Sequence, residues 1–599
     1  PAAAGPAARD GTWKGRGPAY ELTFTADRFP VQAIMPSLGV SNVSADVNVR
    51  GHGLDIFSSS TAINAGIDLR HLGYKGQSYE NINARADIAA GRADVRAIST
   101  NRDADFDISA TGNLTGDTLR WRLKGNLNHI DLMALQLSDT IGRGSATLSG
   151  EAAFTLPKTH ISGRGRHRRV TRDPLTLSAS LDVERLNWQM PHATINTTDI
   201  FANVDIDTTS CALTLNNGDL SAKASAGVGL DTLMTRFGAV QALLQRCMAR
   251  RQLAVDSLQM ALPDFRIALN SGDNNVLTEL LRGSDIAFDT LALHASNDSL
   301  LRADATLTGL QAGKTRADSI ALRIRQRDDH LLYQLKMDNR PGTMDQFAHV
   351  VAQGYISVDN FLLIFNQRNI NDETGFSFGS VVTMPQENTF SLKFVPFHPV
   401  IGYKNWQINP DNFLRYNVKT GHIDANINLH NDVSSLLLTT DHVQADSTQE
   451  ALRLQLKDIK VQDWLAINPF APPMRGNVSA DMSFNLGEKF SSIDGKGNVS
   501  LTDFYYNNQR VANFNAELGL TTSPGGVVRA SSALIVDGVK TITVTGALND
   551  STLADPFNLD FEMIRFPLAV LNPFMPKGTA RFHGLLTGSM DVTGNADKP

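Results

Sequence analysis

Gly375-Phe-Ser377-Phe-Gly379 has the spacing of a serine nucleophile elbow, in which a strand delivers the serine to a sharp turn and a helix leads away from it. Ser380-Val-Val-Thr-Met-Pro follows instead, a strand-forming run, so the context that would expose a nucleophilic hydroxyl is missing. Gly313-Lys-Thr315 has the look of the end of a phosphate-binding loop, but Gly309 is one residue too close and strand-like sequence follows. Asp103-Ala-Asp-Phe-Asp107 places carboxylates at alternate positions, as a calcium loop does, without the turn glycine or the closing glutamate. The wet face of a strand has the same spacing. The 14 histidines form no His-x-x-x-His pair, and Cys211 and Cys247 have no metal-ligand spacing. The two cysteines are compatible with a disulfide in an oxidising compartment or with two free thiols. No enzyme chemistry, metal or cofactor is therefore expected.

One charge cluster stands apart: Arg164-Gly-Arg166-His-Arg168-Arg169, with Arg172 just after. It reads as a solvated loop or as a patch for anionic lipid head groups or another acidic partner. Nucleic acid is not expected, because no aromatic stacking platform accompanies the arginines and the net charge is -6.

The elements that must carry these residues are strands. The chain has 599 residues, 42% hydrophobic and 19% charged, too long for one ordinary core and too apolar for disorder. It opens on Pro1 and stops in mid-pattern at Pro599, and is read as a fragment. No apolar run approaches a membrane span; Phe361-Leu-Leu-Ile-Phe365 is far too short.

The repeating unit is clearest at the end. Ala580, Phe582, Gly584, Leu586, Gly588, Met590 and Val592 alternate with Arg581, His583, Thr587, Ser589, Asp591 and Thr593, which predicts a strand with one apolar face from Ala580 onward. Phe566 to Pro576 precedes it, an apolar stretch whose prolines allow only a hydrophobic turn or helical stub. Weaker copies recur upstream. Arg28-Phe-Pro-Val leads to Val43, Ala45, Val47 and Val49; Asn128 to Leu137 leads to Ala146, Leu148, Gly150, Ala152 and Phe154. Val461-Gln-Asp-Trp-Leu-Ala-Ile-Asn-Pro-Phe470 leads to Val478, Ala480, Met482, Phe484 and Leu486. Leu301, Ala303, Ala305, Leu307 and Gly309 repeat the strand alone. Asn-Gly, Gly-Asp and Ser-Gly turns separate the strands at short intervals, which predicts an antiparallel meander.

The middle departs from this pattern. Leu230, Leu233, Met234, Phe237, Val240, Leu244, Cys247 and Met248 have helical spacing over Leu230 to about Ala254, with Arg246, Arg250 and Arg251 near its end. The helix is expected to pack on the sheet or to lie on a membrane surface. Asn274 to Arg282 and Thr343 to Val351 are shorter helical candidates. Three stretches result: a repetitive β-sheet segment over 1–225, a β-sheet segment with helical insertions over 226–375, and a second repetitive segment over 376–599.

Sandwich domains in a row would need linkers at even intervals, and the alternation runs on through the supposed boundaries. The expected fold is mostly β: an elongated rolled antiparallel sheet with a continuous hydrophobic groove and a few short helices. About forty strands at about 4.8 Å would extend it roughly 190 Å. Val43, Val47, Val49, Leu148, Phe154, Val478, Met482, Phe484, Phe582, Leu586, Met590 and Val592 are the expected groove lining.

The terminal Gly-x-Leu-Leu-x-Gly-Ser-Met-Asp-Val-x-Gly-Asn-x-Asp-Lys-Pro599, the Leu-Asn-Pro-Phe lead-ins and Gly402-Tyr-Lys-Asn-Trp406-Gln-Ile-Asn-Pro-Asp-Asn412 resemble the TamB (translocation and assembly module) family of the AsmA-like superfamily, most sharply from about Pro399 to Pro599. The resemblance implies a periplasmic "β-taco" anchored in the inner membrane by a helix outside this sequence. It also implies an outer-membrane barrel partner at the far end and bulk phospholipid passage along the groove, with a further role in outer-membrane protein assembly. The expected function is a lipid-transfer bridge in which no residue does covalent chemistry; the alternative is a structural or adhesive array of β-sandwich domains. In the first case Arg164, Arg166, Arg168 and Arg169 are candidates for anionic head groups.

Overall fold

The computed structural model describes residues 19–594 except 35–39, 75–76, 136–137, 139–141, 156–158, 163–168, 173–174, 191–193, 251–253, 314, 387, 396–397, 442–448, 467–470, 488–491, 524–525, 549–556 and 577–579. Among the described residues the chain is mostly β, its strands paired in antiparallel register, with a few helices. It divides into two compact units, Pro1–Ala242 with Gln259–Arg316, and Leu243–Leu258 with Ala317–Pro599. No helix among the described residues is long and apolar enough to cross a membrane.

In the first unit, strands from Ala19–Phe29 and Val40–His52 onward pair in antiparallel register as far as Thr290–Asn297 and Leu301–Ala312, mostly with their chain neighbours; Arg143–Thr155 pairs instead with Leu177–Gln189, past the separate hairpin of Thr159–Ser162 and Arg169–Arg172, and Phe265–Ser271 with Thr290–Asn297. The second unit repeats the plan, ending with Phe557–Pro567 against Leu585–Gly594. Alternation explains both. A strand with one apolar face presents that face on the same side as its neighbours only if each turn reverses the chain without a slip in register.

The lead-ins are the connections between adjacent antiparallel strands, and three of them share one local structure. Arg28, Asp458 and Arg565 adopt left-handed backbone (φ 47°, 49° and 55°) within a register shift of the strand just before the lead-in. The N–H of each donates to a hydroxyl on the partner strand: Ser44 at 2.8 Å, Ser479 at 3.0 Å and Thr587 at 3.1 Å. The next residue resumes the ladder, Phe29 opposite Val43, Ile459 opposite Val478 and Phe566 opposite Leu586. Such a bulge bends its strand and increases the twist. A short helix follows: Val31–Ile34, Val461–Leu465, or the 3₁₀ turn Leu568–Phe574. The second lead-in, after Thr118–Asp131, is a turn whose Met133 and Ala134 N–H groups donate to the Asp131 carboxylate.

Two expectations are corrected. The last strand begins at Leu585, not Ala580. Phe582 precedes it because the Asn572 side chain takes both backbone groups of Phe582: its N–H donates to Asn572 Oδ1 at 2.6 Å, and Asn572 Nδ2 donates to its carbonyl at 2.9 Å. The segment from Thr343 to Val351 is not a helix. Only a 3₁₀ turn forms at Asp345–Phe347 before the strand His349–Ile356, whose β-branched Val350 and Val351 favour the ladder. The other two helical stretches form as Leu230–Arg250 and Val276–Arg282. In the latter, Asn275 caps the first turn through Leu277 and Thr278 N–H.

Candidate functional site

Ser377 lies in the middle of the Thr374–Gln386 strand, and Thr315 opens the Thr315–Arg327 strand, so neither motif has the turn and helix its chemistry requires. Asp107 pairs with Arg96 at 2.6 Å and Asp105 accepts from Asn128 at 3.0 Å. The Arg96 guanidinium, mainly by its hydrogen bond, holds the Asp107 carboxyl below its ordinary range. No cluster of three or more potential metal ligands occurs among the described residues. Both cysteines are free thiols, and burial, with the Asp207 charge second, pushes the Cys211 thiol up, away from reactive thiolate.

The candidate site is instead a surface. In the first unit one cross-strand row starts at Leu22 and passes through Val49, Ala65, Ala86 and Val95. It continues through Ala110, Leu123, Gly150, Leu181, Ala202 and Leu215. It ends with Ala222, Leu269, Leu293 and Ala305, so that fifteen successive strands contribute no polar side chain. At about 4.8 Å per strand the row runs roughly 67 Å. One residue along each strand, on the other face, the row reads Glu21, Arg50, Asn64, Asp87, Asp94, Thr111, Arg122, Glu151, Ser180, Asn203, Thr214 and Lys223, then the apolar Ala268, and closes on His294 and Asp304.

The second unit has an equivalent row through Leu429, Leu436, Leu456, Ala480, Val499, Ala516, Leu534, Ile542, Met563 and Gly588, ten strands long. Upstream in the same unit its apolar face carries Phe365, which packs against Phe376 and Phe378 with ring centroids 5.7 and 5.8 Å away.

These faces are not sealed. Leu22 is 58% exposed, Leu181 38% and Leu518 38%, where the inner face of a closed sandwich would leave such residues dry. Two open hollows, of about 830 and 480 Å³, lie on the wet faces, lined by groups such as the Arg122–Glu151 pair in one and Ser479, Asp481 and Ser500 in the other. Ionised and hydroxyl linings favour water over hydrocarbon, so these hollows are not the apolar site.

The lining residues named from the sequence can now be placed. Val43, Val47 and Val49 share the apolar face of their strand; Val47 and Leu148 fall on one cross-strand row by way of Ile67, Ala84, Ala97, Ile108 and Gly125. Phe154 sits on the same face between Leu119 and Leu177. In the second unit Val478 lies between Ile459 and Leu501, Met482 between Leu454 and Gly497, and Phe484 between Leu452 and Gly495. Leu586, Met590 and Val592 oppose Phe566, Phe561 and Leu559. Phe582 is off the strand. Arg164, Arg166 and Arg168 lie outside the described residues, and Arg169 is described only as backbone opening the short strand Arg169–Arg172.

Sequence reasoning missed the aromatic group around Phe365 and the pairing of Trp406 with Trp464, ring centroids 6.1 Å apart at 82°. The period-two placement of Phe376 and Phe378 was a usable signal for the first; the second joins residues distant in the chain. Comparison with protein families, curated proteins and solved structures finds no match for this chain.

Proposed function

We propose that the apolar faces carry the acyl chains of phospholipids, so that the protein acts as a segment of a lipid-transfer bridge in the bacterial envelope. The observation that supports this reading is the pair of unbroken cross-strand rows, half-exposed, the first of them backed over twelve strands by charged and polar side chains. A face that continues apolar from strand to strand lets a hydrocarbon chain move along it at nearly constant free energy, whereas each step into water would cost about 25 cal/mol per Å² of apolar surface. Exposed apolar surface on this scale has no role in a free monomer unless something greasy covers it. The TamB-like motifs supply the setting: a periplasmic protein, an inner-membrane anchor and an outer-membrane barrel partner, with a further part in outer-membrane protein assembly. The reading assigns no catalysis and no cofactor to the chain.

The test is mass spectrometry of an organic extract of the purified protein. Phospholipid well above that extracted from a soluble protein prepared in parallel is expected; none above that control would remove the reading.

A further inference from the structure

The apolar face of the second unit is not equally open along its course. Phe390 and Tyr416, which stand opposite each other on it, are 44% and 37% exposed. The next strand, Ile423–His430, turns Ala425, Ile427 and Leu429 to the same face, and these are only 2%, 8% and 8% exposed. Further on, Met482 and Phe484 are half-buried and Leu518 is exposed again. Ile423–His430 pairs with Gln407–Ile408 and Phe413–Asn417 on one side and with Ser435–Asp441 on the other, so whatever moves along the face must cross this dry neck.

Two segments distant in the chain close the neck. Ile401 belongs to the hairpin that pairs Val400–Ile401 with Lys404–Asn405, and Trp406 follows it directly; Trp464 belongs to the lead-in helix Val461–Leu465. Ile401, Trp406, Leu429 and Ile459 form one buried cluster, against which Trp464, Leu436, Leu456 and Val478 pack. The segments meet at the turn of the hairpin. Gly402 is left-handed there, at φ 58°, and a Cβ on it would collide with the Asp463 carbonyl. The two tryptophans are held differently. Trp406 is buried, and its Nε1 donates to the Ile401 carbonyl at 3.3 Å. Trp464 Nε1 is buried with no acceptor among the described residues, on a helix of five residues that begins three positions after the left-handed Asp458. An unpaired buried N–H favours any position in which water reaches it.

Resting on the lipid-carrying reading above, we propose that the neck is a gate in the acyl path of this unit. Trp464 is its moving part and Trp406 its fixed one, and an acyl chain passes from the Phe390–Tyr416 side to the Met482–Leu518 side when the Trp464 indole swings off the cluster. Close packing leaves no room for a hydrocarbon chain beside the indole, so one must replace the other. The replacement changes the apolar contact of Leu429 little, because methylene groups cover the surface that the ring leaves, while the indole N–H gains water.

Photo-crosslinking of the whole chain tests this. The probe is a phosphatidylethanolamine with a diazirine at the acyl terminus, bound to the unaltered chain, to Trp464→Ala and to Trp464→Phe, each checked for folding by circular dichroism, and the labelled residues are mapped by mass spectrometry. In the unaltered chain and in Trp464→Phe, which keeps a ring over the neck, both flanks are expected to be labelled several-fold more than Ile427, Leu429 and Leu436. In Trp464→Ala the neck is expected to reach the level of its flanks. Equal labelling of neck and flanks in the unaltered chain overturns the closed neck, and this arm needs no variant. A neck left unlabelled in folded Trp464→Ala overturns the role of Trp464. Both results leave lipid carriage standing, whereas no labelling of the apolar face in any form overturns the gate and lipid carriage together.

Discussion

At the residue scale, several polar groups of this protein hold backbone in place. Asp207 shows this in the turn between Ile200–Ile206 and Cys211–Asn217. The N–H of Thr209, then the Ser210 and Thr209 hydroxyls and the Ser210 N–H, donate to its carboxylate and hold it down at about 2. Because this lies below the ordinary aspartate value of about 3.9, the turn's contribution to stability is present above that pH and is lost as pH falls through about 2. NMR titration of carbon-13-labelled aspartate is expected to find one carboxylate titrating near that value, and Thr209→Ala is expected to move it upward. An unmoved midpoint would show that these bonds do not set it.

At the element scale, the bulge and short helix make one device, used at Arg28, Asp458 and Arg565. A left-handed residue with a Cβ is strained, and the partner-strand hydroxyl compensates. Ser479→Ala is therefore expected to cost about 0.5–1.5 kcal/mol, the net value of one hydrogen bond. Asp458→Gly is expected to be tolerated, while Asp458→Val, β-branched at positive φ, is expected to cost about 1–3 kcal/mol. Thermal unfolding of the three variants checks this; equal effects of the Gly and Val substitutions would contradict the assigned backbone strain. The lead-ins were legible in the sequence because Leu-Ala-Ile-Asn-Pro-Phe and Leu-Ala-Val-Leu-Asn-Pro-Phe are alike as strings. The bulges were not, because arginine and aspartate do not announce left-handed backbone as glycine does. The start of the last strand was misplaced for a related reason. Ala580, Phe582 and Gly584 alternate correctly, but Asn572, ten residues before Phe582, competes for the backbone the ladder would have used.

At the scale of the whole molecule, the antiparallel meander was legible because period two is a local property and short turns leave few other topologies. Alternation alone also located the apolar faces. It could not locate the packing of Trp406 against Trp464, which joins residues distant in the chain. In each unit a chain of modest hydrophobicity concentrates its grease into rows, and no single position dominates a row. Small changes along it are therefore expected to be tolerated, and a charge to act as a local barrier, because an unpaired ion on an apolar face strongly disfavours hydrocarbon contact.

The measurement that tests this most directly is the phospholipid-to-protein ratio of the purified chain in three forms: unaltered, with Met482→Asp and Leu518→Asp on the apolar face, and with Ser500→Asp on the wet face. Circular dichroism establishes that all three are folded. The account predicts that the apolar-face variant loses most of its bound lipid while the wet-face variant keeps the ratio of the unaltered protein; equal ratios in all three would contradict it.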